Sequence, residues 1–203
     1  MDFKITTAIL LLLTSSIAFA TDWTLKEDQE GVKAFTRSVP NSDLLEFKGI
    51  TEHNTSIDTI LNLMQDVENY DKFLHTAYEP VLLDEIDTNT RIAHIKYSTP
   101  FITSDRDLVL KLSIDQPSPT TAIITVTSQP GYLEEVDGYV RIPLFNGKWS
   151  LAQIKDEVVS IEYEGSLDPG GSLPDWVANM TVIETPLYTL LNLKKYIDEQ
   201  PSK

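Results

Sequence analysis

The chain has 203 residues, with 31 Asp and Glu against 16 Lys and Arg, a formal net charge of −15 at pH 7, and no cysteine. So acidic a surface repels phosphate backbones and anionic headgroups, which argues against a nucleic-acid partner and against standing electrostatic attachment to a membrane. Without cysteine there is no disulfide, no thiolate nucleophile and no thioether-linked lipid anchor, and the fold must rest on packing.

Residues 1–20 read as a secretory signal peptide. Lys4 precedes the apolar run Ala8-Ile9-Leu10-Leu11-Leu12-Leu13, and Ala18-Phe19-Ala20 supplies the small residues of a cleavage site. The run is too short to span a bilayer. The mature chain is expected to begin at Thr21 and to form one domain, residues 21–203, in the periplasm of a Gram-negative bacterium. A retained N-terminal anchor is the alternative. In another secretory setting Asn54-Thr55-Ser56 and Asn179-Met180-Thr181 would be glycosylation sequons.

After a short segment with Trp23 and Leu25, the runs Val32 to Val39 and Leu44 to His53 flank the turn residues Pro40-Asn41-Ser42-Asp43 and predict a hairpin. Thr55 with Asp58 offers a capping box for a helix of about four turns carrying Ile57, Ile60, Leu61, Met64 and Val67. From Glu79 to Leu167 the pattern is strands. The clearest is Asp107 to Asp115, where Leu108, Leu110, Leu112 and Ile114 alternate with residues expected to face solvent. Further strands are predicted over Arg91 to Tyr97, Thr121 to Ser128, Tyr139 to Ile154 with a turn at Phe145-Asn146-Gly147, and Val158 to Leu167.

Asp168-Pro169-Gly170-Gly171 then breaks the last strand, and Pro174 suits the first turn of a helix, where a missing N–H costs nothing. Trp176, Met180, Ile183, Leu187, Leu190, Leu191 and Ile197 recur by threes and fours, which predicts one long amphipathic helix. Hairpin, helix, antiparallel meander and long C-terminal helix together give an α+β helix-grip fold, a curved antiparallel sheet wrapped around the last helix.

Four local patterns occur in this order along the chain. They are Trp23 and Leu25 before Gly31-Val32, Pro100-Phe101-Ile102-Thr103-Ser104-Asp105-Arg106-Asp107, Gly147-Lys148-Trp149, and Asp168 to Asn179. The chain thereby resembles the steroidogenic acute regulatory protein-related lipid transfer (START) domain family. The resemblance implies a lipid- or sterol-sized cavity between sheet and helix, with the loop at Phe101 and Ile102 helping to gate it.

The candidate ligand-binding residues are Tyr97, Phe101, Ile102, Arg106, Leu108, Leu110, Leu112, Trp149, Tyr163, Trp176, Met180, Ile183 and Leu187. Leu108 to Leu112 and the helix stripe could equally pack as a dry core. Arg106 shares the parity of Leu108, Leu110 and Leu112 and should point inward, either to a ligand head or to an ion pair with Glu162, Glu184 or Asp105. Glu162 and Glu164 share a strand face, but their alternation with Ile161 and Tyr163 places them in solvent rather than in acid–base chemistry. His53, His75 and His94 fall in no metal-binding spacing, and there is no Gly-x-Ser-x-Gly elbow or phosphate-cradling loop.

The expected function is therefore binding of a hydrophobic ligand, a lipid above all, without a cofactor and without catalysis. The expected partners are that ligand and, transiently, a membrane; the chain is expected to be a monomer. The alternatives are an aromatase/cyclase-like enzyme on the same fold and a scaffold module with a closed core.

Overall fold

The computed structural model describes residues 22–39, 44–99 and 103–200. The segment carrying Trp23 is followed by a strand, β1 (Thr24–Gln29), which pairs antiparallel with β2 (Val32–Ser38). β2 pairs in turn with β3 (Leu45–Asn54), as the hairpin pattern predicts. The connecting residues 40–43 lie outside the described residues. Val32, Ala34 and Thr36 on β2 and Phe47 and Thr51 on β3 are buried, the period of two that a sheet with one covered face requires.

α1 (Ile57–Gln65) starts one residue later than the predicted cap. Ser56, not Thr55, is the N-cap, and its hydroxyl accepts the Thr59 N–H at 3.0 Å. The helix is also shorter than predicted: it ends at Asp66 and passes into a 3-10 turn, Val67–Lys72. Tyr70 in that turn donates its hydroxyl to the Met64 carbonyl at 2.5 Å. This satisfies one of the carbonyls that a helix end leaves without a partner.

The meander runs through β4 (Ala77–Asp87), β5 (Thr90–Tyr97), β6 (Arg106–Ser118), β7 (Thr121–Ser128), the two-residue β8 (Val140–Arg141), β9 (Leu144–Lys155) and β10 (Val158–Asp168). The spatial order is β1-β2-β3-β10-β9-β7-β6-β5-β4, every pair antiparallel, with β8 added parallel to β6. Phe145-Asn146-Gly147 is not a turn but part of β9, where Asn146 lies opposite Thr127 and Ser166. The glycine serves packing: a Cβ at Gly147 would stand 2.8 Å from the Phe145 ring. The expectation that Asp107 faces solvent also fails, because β6 is buried on both faces from Arg106 to Leu110.

α2 (Asp175–Asp198) lies in the concavity and packs on β2, β3 and the 3-10 turn. Its close approach depends on Gly49, where a Cβ would meet Leu190 Cδ1 at 2.6 Å and Pro186 Cβ at 2.9 Å. Pro186, inside the helix, supplies no N–H to the Val182 carbonyl one turn back. The C-terminal half is tied down by Lys194, whose ammonium donates to the Glu30 carbonyl at 2.7 Å, and by His53 Nε2, 2.9 Å from Asp198 Oδ1. The result is a curved ten-stranded sheet gripping one long C-terminal helix.

Candidate functional site

Between α2 and the sheet lies a cavity of about 110 Å³ bounded by β5, β6, the end of β10 and the inner side of α2. A deeper void of about 30 Å³ adjoins it, and Leu74, Tyr97, Phe145 and Tyr163 line both. The deeper lobe is apolar and aromatic, bounded by Met64, Phe73, Leu110, Leu112 and Trp149. Trp149 and Tyr163 face each other across the β9–β10 ladder with ring centroids 4.0 Å apart and nearly parallel. Phe47 meets Tyr163 edge-on at 5.0 Å. These stacked rings form a rigid floor.

The outer lobe is polar at one end. Arg106, the first residue of β6, is 5 % exposed and turns inward, as its parity predicts. Its Nη1 donates to the Ser104 carbonyl at 2.5 Å, while Nε and Nη2 reach the Pro169 and Gly170 carbonyls at 3.5 Å. Among the described residues none of the acids considered from the sequence pairs with it. Glu162 contacts Lys48, Glu184 lies 3.9 Å from His75, and Asp105 accepts from the Tyr78 hydroxyl at 2.6 Å and the Thr99 N–H at 3.0 Å. Burial pulls the guanidinium below its ordinary value against the opposing charge of Asp105.

Three threonines of α2, Thr181, Thr185 and Thr189, line the same lobe together with His75. The Thr189 hydroxyl accepts the His75 N–H at 3.1 Å, joining helix to sheet-side loop. Burial lowers the His75 imidazole, with Glu184 opposing. Burial pushes both phenols, Tyr97 and Tyr163, well above the ordinary range, so they remain protonated donors.

Of the residues proposed from the sequence, Tyr97, Arg106, Leu108 and Tyr163 line the outer lobe, and Leu110, Leu112 and Trp149 the inner one. Leu187 is buried in the core without reaching either lobe, and Met180 and Ile183 line neither. Trp176 is 62 % exposed. The cavity side of α2 is taken by Thr181, Thr185 and Thr189, which sets Ile183, two residues from the first two of them, on the opposite side of the helix. Phe101 and Ile102 lie outside the described residues. His75 and the threonine row are among the lining residues that sequence reasoning missed, with Leu74 and Phe145, which line both lobes. The signal for the row was their spacing of four.

Glu162 and Glu164 stand on the outer face, where Lys48 lies 3.4 Å from each and Lys148 2.5 Å from Glu164. Among the described residues no group of three or more His, Cys, Asp or Glu is gathered that could hold a metal ion. No described helix is long and apolar enough to cross a membrane.

A curved sheet gripping a helix over an interior cavity defines a helix-grip protein. No family model matches the chain. It is 31 % identical over 183 residues to an uncharacterized protein, PA1579, of Pseudomonas aeruginosa, covering 90 % of each chain. Its structure superimposes on a STAR-related lipid transfer protein from Xanthomonas axonopodis with a TM-score of 0.82 and 30 % identity, over 87 % of this chain and 99 % of that one. Human STARD10 matches with a TM-score of 0.77 and 20 % identity, over 88 % of this chain and 74 % of the other, a likeness of fold. The chain belongs to the STAR-related lipid transfer (START) domain family.

Proposed function

We propose that the protein binds a hydrophobic ligand, a lipid, under α2 and carries or shields it in the periplasm once residues 1–20 are removed. The observation that carries this reading is the two-lobed cavity, apolar and aromatic at depth and polar at one end. One polar end suits an amphiphile to be held rather than transformed. Burying an acyl chain is worth about 0.8 kcal/mol per methylene, so a dozen contribute on the order of 10 kcal/mol before entropic costs.

The cavity of about 110 Å³ is smaller than the roughly 300–1,000 Å³ of sites that enclose a drug-sized molecule, so its lining must move to admit one. The first half of α2 is the part that moves. The anchors at Lys194 and Asp198 tie down the second half, and Pro186 interrupts the helix ladder between the two. Trp176 near the start of α2 and Leu144 in β9, each at least half exposed, are the groups that meet a membrane during exchange.

Native mass spectrometry of protein taken from its own periplasm, followed by extraction, tests the reading. A mass beginning at Thr21 or within a residue or two, with a co-purifying lipid, is the expected result. Retention of Met1 would remove the periplasmic assignment. Absence of bound lipid together with failure to take lipid from vesicles would remove the carrier.

A further inference from the structure

The inward side of β6 reads Arg106, Leu108, Leu110, Leu112, one cation followed by a run of leucines. The two edges of that guanidinium are engaged unequally. Nη1 has a short bond to Ser104, but the Nε and Nη2 edge reaches its two carbonyls only at 3.5 Å, beyond the usual span of about 2.7–3.2 Å for N–H···O. That edge presents two parallel donors, the geometry that grips both oxygens of a carboxylate or phosphate. Among the described residues no carboxylate forms an ion pair with it, and its two acidic neighbours in sequence are already held, Asp105 by Tyr78 and Thr99 and Asp107 by Arg141 and His94. Carbonyl dipoles and the nearby charge of Asp105 thus offset its burial without closing an ion pair on that edge.

The rest of the cavity continues the same axis. From Arg106 the outer lobe passes Thr185 and Tyr97, and beyond Tyr163 the inner lobe ends on Trp149 and Leu112. Four side chains, Leu74, Tyr97, Phe145 and Tyr163, line both lobes and mark the junction between them. The lobes are small, about 110 and 30 Å³, so admitting one chain demands less movement of the lining than admitting two.

Resting on the reading that the cavity holds a lipid, we propose that its ligand is a single-chain amphiphile with an oxyanion head. The carboxylate or phosphate sits on the Nε and Nη2 edge of Arg106, displacing the weak contacts to Pro169 and Gly170, and the tail runs past the junction of the two lobes to Trp149.

Displacement of a fluorescent hydrophobic probe from the purified mature protein tests this, with oleate, 1-oleoyl lysophosphatidate, methyl oleate and inorganic phosphate as competitors. Oleate and the lysophosphatidate should compete about 10- to 100-fold better than the ester, the factor that charge-assisted hydrogen bonds supply. Arg106→Gln should erase that preference and leave the ester unchanged, and Arg106→Lys, which keeps the charge without the fork, should restore part of it. Inorganic phosphate should not displace the probe. Equal competition by acid and ester in the unaltered protein would overturn the oxyanion head while leaving lipid binding intact. Displacement by inorganic phosphate as strong as by oleate would make this a free-anion site and overturn the amphiphile. If no competitor displaces the probe and no lipid co-purifies, the carrier reading fails as well. Should Arg106→Gln not fold, the acid-to-ester ratio of the unaltered protein and the Arg106→Lys variant decide the matter alone.

Discussion

Arg141 closes on Asp107 as a fork, Nε donating to Oδ1 at 2.9 Å and Nη2 to Oδ2 at 2.7 Å. The same guanidinium donates to the carbonyls of Pro130 and Leu133 at 2.8 Å and of Glu134 at 3.1 Å, so every nitrogen of the group is engaged. His94 Nε2 stands 2.8 Å from Asp107 Oδ2 on the other side. Asp107 is fully buried on the outer face of β6, while its neighbour Arg106 serves the inner face. The segment 129–139 is thereby fastened over the sheet.

Arg141→Met should therefore cost about 3–5 kcal/mol, since it leaves a buried carboxylate without its main partner. Urea denaturation measures the loss, and limited proteolysis should find a new cleavage near Leu133 and Glu134. A variant as stable as the parent, with no new cleavage, would mean that the fork holds nothing in place.

Asp107 also sets an acid limit. Burial pushes its carboxyl up, but the hydrogen bonds and charge interactions with Arg141 and His94 together outweigh burial and hold it below its ordinary value of 3.8. A carboxyl depressed on folding contributes fully above its unfolded pKa and loses that contribution as pH falls through the folded one. The urea midpoint should thus hold to about pH 4 and drop below it, and the drop should be shallower in Asp107→Asn. An equally steep fall in that variant would place the acid lability on other groups.

Leu110 and Ile183 should respond differently to the same enlargement. Leu110 borders the inner lobe, so Leu110→Trp fills space that a tail would occupy and should sharply reduce lipid uptake while a cooperative melt persists. Ile183 borders neither lobe, and Ile183→Trp should leave uptake near the parental level. Vesicle uptake assays on the two variants read this, and the reverse pattern would put the ligand elsewhere.

Gly49→Ala should lower stability by about 1–3 kcal/mol, because the new methyl falls within 3 Å of both Leu190 and Pro186 and the helix must retreat from β3. Thermal melts check it. An unchanged midpoint would show that α2 shifts without loss.

Strand parity and helix spacing were enough to read most strands of the sheet, the long C-terminal helix and the inward side of β6, because each depends only on residues close in sequence; the edge strands β1 and β4 were not separately read. Asp107 shows where that logic stops. Alternation assigns it to solvent, and nothing within β6 announces that residues 129–139 fold over that face or that Arg141 arrives there. Thr181, Thr185 and Thr189 are missed for a related reason. A polar row at helical spacing normally marks the solvent side, and it turns inward here because a cavity lies beneath it. At Phe145-Asn146-Gly147 turn-forming composition yielded to ladder pairing on both sides of β9.

The edge of the sheet has its own consequence. β4 is a terminal strand of 11 residues exposing Val81, Leu82 and Ile86, and its pairing with β5 slips at three places, between Tyr78 and Val81, Leu82 and Asp84, and Glu85 and Asp87. A straight strand from another molecule therefore finds no unbroken ladder to join, and it meets Glu79, Asp84, Glu85 and Asp87 as it approaches. In a chain with no disulfide to keep it closed, those irregularities protect against fibrous self-association whenever the concentration rises.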